Sequence, residues 1–392
     1  MNKCRLCQSE RTSLAFDFGN QPIVHRLLES RHENYAKFPF KLCHCIDCGF
    51  LQMVEFLKPE TLYKNYFTLS SWKAQPHAKI FLENIIKIFD IEKTSKIFEI
   101  GCNDGGFLTL LRNNDFKNFL GIEPTEDASN ESMRKGLPTI KGFYDRDSID
   151  EIAKVFPAPD LIVSRQVIEH IPDLDGLMES IKGHLRPGGA LALELPDSSM
   201  NYEEFDYSLW EEHVNYFTIH TIRNLLYRHG FEIIHYESTL FTGKCLFVYA
   251  VNSNNALQQA RNTDNSMAHR YIKGFSYFKN KTHDYLSEQS RSGKGAIYGS
   301  GARSCNFINL LGLEEYFSMF IDDQPEKQNR FVPGCELPVR NFSEINSEAF
   351  VALGVNTENE HKVQKRITPR TSFSILPPSS LLPVYWRNIQ SN

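Results

Sequence analysis

Residues 99–106 read Glu-Ile-Gly-Cys-Asn-Asp-Gly-Gly, and this glycine-rich stretch decides the fold of the chain. It follows the apolar run Lys-Ile-Phe at 96–98 and precedes Phe-Leu-Thr-Leu-Leu-Arg at 107–112. This order predicts a strand, a sharp turn and a helix. Gly101 and Gly105 lack a Cβ, which allows the backbone to turn tightly and to pass close to a ligand. The stretch therefore predicts the ligand-binding turn of an α/β domain.

The spacing of the glycines distinguishes between two kinds of cofactor. A nicotinamide fingerprint reads G-x-G-x-x-G, which lets a pyrophosphate approach the helix N-terminus. Here the pattern is E-x-G-x-x-x-G, and Asn103 stands at the second glycine position. The pattern favours S-adenosylmethionine, because the amino-acid end of that cofactor carries no phosphate. The predicted cofactor residues in this turn are Glu99, Gly101, Asn103 and Gly105.

Three further segments follow in the order expected of such a domain. Residues 119–123 end in Glu123, a carboxylate placed to accept both ribose hydroxyls of the cofactor. Residues 161–173 contain Gln166, another predicted cofactor residue, and residues 185–194 supply a fourth strand. With these segments the chain resembles the class I S-adenosylmethionine-dependent methyltransferases, which implies a doubly wound α/β sheet.

A motif near the N-terminus predicts a metal site. Cys4 and Cys7 form one C-x-x-C hook, and Cys45 and Cys48 form another. Each hook brings two sulfurs to one ion across a tight turn, so the four thiolates predict one structural zinc with no open coordination position. The cysteine and histidine at 43–44 are alternative ligands but do not fit the symmetric spacing. Four buried thiols without an ion are the other alternative.

Length and charge limit the remaining possibilities. A chain of 392 residues predicts two or three domains, which we assign as a zinc module at 1–70, a methyltransferase domain at 71–250, and a helical linker with a C-terminal domain at 251–392. The net charge of −5 gives no basic field for nucleic acid, and no segment is apolar enough to span a bilayer. The N-terminus has no apolar stretch of the signal-peptide kind. We therefore expect a cytoplasmic protein that acts on a small molecule, with its oligomeric state open.

A candidate acid–base pair follows the fourth strand. Residues 209–217 read Leu-Trp-Glu-Glu-His-Val-Asn-Tyr-Phe, in which Glu212 and His213 are adjacent. A histidine titrates near neutrality and can accept a proton during a reaction, and a neighbouring carboxylate can orient its ring. The alternative is a histidine that bonds to the backbone in a surface loop.

The C-terminal third contains another strand–turn–helix pattern. Residues 295–304 include a turn with Gly299 and Gly301, and Asp322 ends an apolar segment further along. These features resemble a second, Rossmann-like α/β half and match part of a dinucleotide fingerprint. Ser304 occupies the third glycine position of that fingerprint, which argues against a bound nicotinamide.

The whole order of motifs resembles the sugar C-methyltransferases that act on nucleotide-linked 4-keto-deoxysugars. The resemblance extends from residue 4 to about residue 339. It implies that a base removes the proton on the carbon next to the ketone and that the enolate attacks the cofactor's methyl group. By matching positions it implies His213 as the base and Glu212 as its partner. It also implies His170 on the cofactor side of the pocket and Tyr66 as a phenol at the substrate.

Two departures from the family pattern keep alternatives open. The family shows Tyr-His-Glu-His where this chain has Trp-Glu-Glu-His at 210–213, and Tyr-x-Tyr where it has Tyr-Phe-Thr at 66–68. The missing phenols leave the sugar and the acceptor atom open. An O- or N-methyltransferase of a related sugar is the first alternative, since it needs a base but no enolate stabilisation. A catalytically silent methyltransferase fold and a nicotinamide-dependent sugar oxidoreductase are alternatives of other classes.

Overall fold

The computed structural model describes three β-sheets with helices packed around them. The described residues are 3–62, 76–240, 244–253, 266–345, 348, 350–355, 357–368 and 374–376. The strands are β1 (Thr12–Pro22), β2 (Lys37–Cys45), β3 (Leu51–Met53), β4 (Lys96–Ile100), β5 (Asn118–Glu123), β6 (Thr139–Lys141), β7 (Leu161–Arg165), β8 (Ala190–Pro196), β9 (Asn215–Tyr216), β10 (Phe231–Leu240), β11 (Lys244–Asn252), β12 (Gly295–Tyr298), β13 (Phe317–Ile321), β14 (Val339–Arg340), β15 (Phe350–Leu353) and β16 (Ser374–Ile375). The helices are α1 (Pro59–Leu62), α2 (Pro76–Phe89), α3 (Gly106–Asn113), α4 (Glu126–Arg134), α5 (Ile149–Val155), α6 (Leu174–His184), α7 (Ser199–Glu204), α8 (Ile219–Arg228), α9 (Ser266–Gln289), α10 (Ala302–Leu311) and α11 (Thr357–Ile367).

The central sheet has seven strands in the order β10-β11-β8-β7-β4-β5-β6. Strands β4 to β8 run parallel, β11 pairs antiparallel with β8, and β10 at the edge pairs antiparallel with β11. The strand order reverses between β4 and β7, and such a reversal leaves a ligand crevice at the carboxyl ends of the strands. This topology confirms the predicted doubly wound α/β sheet of the class I methyltransferase fold.

Helices cover both faces of the central sheet because its strands are apolar on both sides. In β4, Ile97 lies in the core on one face and Phe98 in the core on the other, and both are fully buried. Phe81 of α2 packs on the first face and Leu177 of α6 on the second. Asp173 caps α6, because its side chain accepts a hydrogen bond from the backbone of that helix.

The N-terminal sheet is antiparallel and has the order β1-β2-β3-β9. Three of its strands come from the first 53 residues, but β9 lies beyond the methyltransferase strands in the sequence. The pairing joins Leu51 to Tyr216 and Gln52 to Asn215. The segment that follows His213 is therefore an edge strand of the N-terminal sheet. The predicted ranges instead place this segment in the methyltransferase domain at 71–250.

The C-terminal sheet has five parallel strands in the order β14-β13-β12-β15-β16, which confirms the predicted Rossmann-like domain. The long helix α9 leads into it and packs on the N-terminal sheet. The rings of Tyr271 and Phe275 in α9 lie 5.0 and 5.2 Å from the ring of Phe16 in β1. Aromatic contacts of this kind connect the first and last parts of the chain.

A helix that crosses a bilayer needs about 20 consecutive, mostly apolar residues. Among the described residues, no helix is both long and apolar enough to cross a membrane.

Candidate active site

The four predicted zinc ligands converge on one point. The Sγ atoms of Cys4, Cys7, Cys45 and Cys48 all lie within 4.8 Å of one another. The Cys4–Cys48 and Cys7–Cys45 sulfur pairs are each 3.6 Å apart. A tetrahedral zinc with Zn–S bonds of about 2.3 Å spaces its sulfurs about 3.8 Å apart, so the cluster fits that ion. His44 lies outside this cluster, and its ring faces another histidine at 5.1 Å.

Both glycines of the first turn are required by the backbone and by packing. Gly101 has φ +70°, and a Cβ there would lie 2.4 Å from Val167 Cγ2. Gly105 has φ +76°, and a Cβ there would lie 2.3 Å from Leu137 Cδ1. Asn103 also adopts a positive φ of 50°. The turn therefore has a conformation that side chains oppose, and it leaves its backbone close to the crevice.

Glu123 ends β5 and faces this turn. One carboxylate oxygen accepts a hydrogen bond from the backbone N–H of Asn103 at 3.0 Å, and the other accepts from the backbone N–H of Thr125 at 2.9 Å. Burial raises the pKa of Glu123, although these hydrogen bonds oppose the shift. The sequence prediction that Asn103 and Glu123 lie at one site agrees with this geometry.

Glu99 is a buried carboxylate with an unmet acceptor. Its Oε2 atom has no hydrogen-bond partner among the described residues, and the side chain is almost fully buried. Burial raises the pKa of Glu99 to about 8, although the charge of Arg165 acts in the opposite direction. A buried acceptor without a partner is costly, and a cationic ligand removes that cost. The ammonium and sulfonium groups of S-adenosylmethionine fit this position.

Gln166 belongs to a polar network of side chains from β7, β8 and their neighbours. The sequence did not predict this network. The amide Nε2 of Gln166 lies 3.3 Å from Glu194 Oε1 and 3.3 Å from Cys245 Sγ. Glu194 also contacts His77 Nε2 at 3.0 Å and accepts from Arg165 Nε at 2.7 Å. The charged residues in otherwise apolar β7 and β8 were the available sequence signal. The side-chain amide of Gln166 is thus engaged with the sheet.

One cavity of about 790 Å³ connects the turn with the C-terminal domain. Its wall includes Glu99 and Glu123 of the methyltransferase strands, the two histidines His170 and His213, and Arg303 of α10. Of the residues predicted to act on cofactor or substrate, those in the described part of the chain lie at or near this cavity. Tyr66 and the departure at 66–68 lie outside the described residues.

His213 lies against a second histidine in the cavity wall. The ring centres of His213 and His170 are 4.8 Å apart and nearly perpendicular. His170 Nδ1 lies 2.9 Å from the backbone oxygen of Glu212, so Nδ1 carries the proton and donates. Burial, and then the charge of His170, lower the pKa of His213 to about 3. The imidazole of His213 is therefore neutral near neutral pH and can accept a proton.

Glu212 contacts a residue of the N-terminal module rather than His213. Its Oε1 atom lies 3.3 Å from His25 Nε2. Burial alone would lower the pKa of His25, but the charge of Glu212 outweighs it and raises that pKa to about 9. Burial likewise opposes ionisation of Glu212, yet His25 holds the pKa of Glu212 well below its usual value. The expectation that Glu212 orients the His213 ring is therefore corrected, because the Glu212 carboxylate forms an ion pair with His25.

Glu169 is a further residue that sequence reasoning did not use. It precedes His170 in the turn after β7, and neither carboxylate oxygen has a hydrogen-bond partner among the described residues. Burial raises the pKa of Glu169 to about 7. One of its carboxylate oxygens lies within 4.8 Å of one ring nitrogen of His170 and of one ring nitrogen of His213. The Glu-His pair in this turn was visible in the sequence, but nothing local indicated that both oxygens would be unpaired.

Hydrogen bonds from two sides hold the backbone next to His213. Val214 N donates to Glu169 O at 2.8 Å, which joins the segment to the turn after β7. Val214 O accepts from Met53 N at 3.1 Å and from Arg5 Nη1 at 3.2 Å, which joins it to the zinc module. The side chain of Asn215 donates to Ile171 O at 2.7 Å. The position of His213 therefore depends on both the N-terminal module and the central sheet.

At the second glycine turn, the acidic residue Asp322 forms hydrogen bonds and an ion pair within its own domain. Asp322 Oδ2 accepts from the backbone N–H of Ser300 at 3.0 Å and from its hydroxyl at 2.7 Å. Lys327 Nζ lies 3.4 Å from the same oxygen. Burial opposes ionisation, but Lys327 and these hydrogen bonds keep the pKa of Asp322 below its usual value. Ser304, at the third glycine position, donates to the backbone oxygen of Gly354.

Three protein-family models match consecutive parts of the chain. A zinc binding domain model matches residues 4–63, and a methyltransferase domain model matches residues 73–236. A C-methyltransferase C-terminal domain model matches residues 255–352. The first match contains all four clustered cysteines, and the second contains the glycine turn and His213.

Known proteins resemble the chain at low identity. The C-methyltransferase NovU of Streptomyces niveus is 21% identical over 360 residues, which cover 86% of this chain and 85% of that protein. A trans-aconitate 2-methyltransferase of Variovorax paradoxus is 28% identical over 109 residues, which cover 28% of this chain and 41% of that protein. A solved structure of magnesium protoporphyrin IX methyltransferase from Synechocystis PCC 6803 with bound cofactor is 15% identical, with a TM-score of 0.37. It covers 50% of this chain and 98% of that one.

Proposed function

We propose that this S-adenosylmethionine-dependent methyltransferase, with its zinc-binding module and its C-methyltransferase C-terminal domain, methylates a carbon atom of a nucleotide-linked keto-deoxysugar. The observation that carries the proposal is the position of the His213 imidazole, which lies in the wall of the cavity that the cofactor turn also lines. A carbon acid next to a ketone needs a positioned base before it can attack an electrophile. The resemblance to NovU over most of the chain supports carbon as the acceptor.

Because the chain is a methyltransferase, we propose neither a catalytically silent methyltransferase fold nor a nicotinamide-dependent sugar oxidoreductase. The two glycine turns agree with this assignment, since a buried carboxylate oxygen without a hydrogen-bond partner among the described residues lies at the first turn, whereas Asp322 at the second turn is hydrogen-bonded. We propose that Glu99 faces the cationic amino-acid end of S-adenosylmethionine and that Glu123 accepts the ribose hydroxyls. The cofactor supplies an electrophilic methyl group on its sulfonium.

In the proposed reaction, His213 removes the proton on the carbon next to the ketone, and the C–H electron pair forms an enolate. The enolate carbon then forms a bond to the methyl carbon while the S–CH₃ bond breaks, which leaves neutral S-adenosylhomocysteine and a protonated His213. The nearby ring of His170 and the burial of the site keep His213 neutral before the reaction. A base must be unprotonated at the start of such a step.

The nucleotide end of the substrate is proposed to lie toward the C-terminal domain. The cavity extends to Gly301, Ala302 and Arg303 at the start of α10. A guanidinium and the N-terminus of a helix both favour a negatively charged group. This end of the cavity therefore suits the phosphates that link a sugar to a nucleoside.

The experiment separates carbon from oxygen or nitrogen as the acceptor. The protein is incubated with a nucleotide-linked 4-keto-deoxysugar in D₂O without cofactor, and deuterium uptake next to the ketone is followed by NMR. The expected result is enzyme-dependent exchange that is lost in His213→Asn and kept in His220→Asn, since His220 is an exposed residue of α8. Cofactor is then added and the gain of one methyl group is measured by mass. A methylated product without α-exchange would overturn C-methylation and favour the O- or N-methyltransferase alternative.

A further inference from the structure

We propose that Glu169, His170 and His213 form a second metal site, which takes a divalent cation that prefers imidazole ligands, such as Ni²⁺ or Zn²⁺. One ligand atom from each of the three residues lies within 4.8 Å of the other two. This cluster is separate from the four thiolates of the N-terminal module. Two imidazoles and one carboxylate are a common donor set for such ions.

The hydrogen bond of His170 prepares its ring for a metal. The Nδ1 atom contacts the backbone oxygen of Glu212 at 2.9 Å, so Nδ1 holds the proton and Nε2 carries the free lone pair. Metal-binding histidines usually donate their second ring N–H to a carbonyl or carboxylate, which fixes the tautomer and the ring orientation. His170 therefore presents the nitrogen that a cation needs.

Glu169 supplies an independent indication of a ligand. Its side chain is 1% exposed, and neither oxygen has a hydrogen-bond partner among the described residues. A buried carboxylate without a partner is costly, and coordination to a cation removes that cost. The same carboxylate lies 3.9 Å from His170 Nε2, so one ion can reach both.

Binding requires a modest contraction of the site. Metal–nitrogen and metal–oxygen bonds of about 2.1 Å place neighbouring ligand atoms about 3.0–3.4 Å apart, closer than the present limit of 4.8 Å. Rotation of side chains that face a cavity can supply this change. The cavity also provides the route by which an ion enters.

The consequence for catalysis rests on the proposed function. An ion bound to His213 uses the lone pair that would otherwise accept the substrate proton. Occupancy of this site therefore switches off the proposed base and makes the cation an inhibitor.

Ion stoichiometry tests the site without any substrate. The full chain, free of a histidine tag, is dialysed against NiCl₂, and bound nickel and zinc are both counted by mass spectrometry. The expected result is one zinc and one nickel per chain. Glu169→Gln is expected to keep the zinc and to bind nickel at least tenfold more weakly, because a ligand is lost. His220→Gln controls for weak binding to exposed histidines and should behave as the unmodified chain.

Failure to bind nickel, or equal nickel affinity in Glu169→Gln and the unmodified chain, would overturn the metal site. His170→Gln is a second variant with the same expected loss, should Glu169→Gln fail to fold. Retained zinc and retained S-adenosylmethionine binding show that a variant is folded. In the deuterium-exchange assay, nickel should abolish exchange in the unmodified chain. Exchange that continues at saturating bound nickel would overturn the inhibitory role while leaving the proposed methyl transfer intact.

Discussion

The two glycine turns of this chain each follow a parallel strand, β4 or β12, but they differ in their acidic residues. At the first turn, Glu99 lies two positions before Gly101, and one of its buried oxygens has no hydrogen-bond partner within the described part of the chain. At the second turn, the corresponding residue before Gly299 is Ile297, and Asp322 is paired with Ser300 and Lys327. The glycines therefore report a tight turn in both places. The unmet acceptor, rather than the glycine spacing, is the reason that we propose a cationic cofactor at the first turn and not at the second.

The carboxylates of Glu123, at the end of β5, and of Asp322, directly after β13, extend this comparison. Each accepts a hydrogen bond from the backbone of its own glycine turn. Glu123 accepts from Asn103 N, and Asp322 accepts from Ser300 N. The pKa of Glu123 is raised by burial, whereas that of Asp322 is lowered against the effect of burial, chiefly by Lys327. Asp322 is thus ion-paired with Lys327 of its own domain, whereas no such ion pair is found for Glu123 among the described residues.

The largest expected effect comes from Glu123→Ala. Loss of hydrogen bonds from the ribose hydroxyls to a charged group is expected to weaken S-adenosylmethionine binding about 100-fold, or about 3 kcal/mol. The matched variant Asp322→Ala should leave this affinity within about twofold of the unmodified chain. Calorimetric titration with S-adenosylmethionine and S-adenosylhomocysteine measures both. Equal losses in the two variants would contradict the distinction between the turns.

A smaller effect is expected from Gly101→Ala. The added methyl group meets Val167 Cγ2 at 2.4 Å and must adopt φ +70°, which costs about 1–3 kcal/mol in the backbone conformation. The control is Gly301→Ala, where φ is −78° and, among the described residues, no atom outside the adjacent residues lies within 4 Å of the new Cβ. Thermal unfolding and cofactor titration should both respond at the first turn and neither at the second. A stable Gly101→Ala protein with unchanged affinity would refute the steric argument.

The smallest effect is a pH dependence that Glu99 introduces. Its pKa is raised to about 8 from the usual 4.5, so the folded free protein favours the protonated form. The stability contributed by Glu99 is therefore greatest at low pH and declines as the pH rises toward 8. A bound cation favours the ionised form instead, so cofactor affinity should rise several-fold between about pH 6 and 8.

The control for this pH dependence compares the two turns again. Glu99→Gln should flatten the pH profile of cofactor affinity, whereas Asp322→Asn should leave the slope unchanged. Affinities are measured by titration at each pH in a single buffer mixture. A slope that persists in Glu99→Gln would assign the titration to another group.

Local spacing in the sequence predicted the features that depend on neighbouring residues. The doubly wound sheet, the Rossmann-like domain and the zinc module follow from glycine turns and C-x-x-C hooks, each of which is complete within a few positions. The contact of Glu212 with His25 was missed because it joins two distant segments. The unpaired state of Glu169 was also missed, since it depends on every group that packs around the carboxylate. The structure brings most of the predicted residues that it describes to one cavity, whereas their pairing could not be predicted from the sequence.

The pairing of strand β9 also limits which fragments of the chain can retain the complete site. A fragment that starts at residue 76 retains Gly101 and Glu123 but loses β1, β2 and β3, three of the four strands of the sheet that contains β9. We expect such a fragment to bind cofactor and to lack a fixed position for His213. The zinc module and the segment from Glu211 to Tyr216 therefore depend on each other for their structure. An N-terminal module taken from a relative would function here only together with its own partner segment.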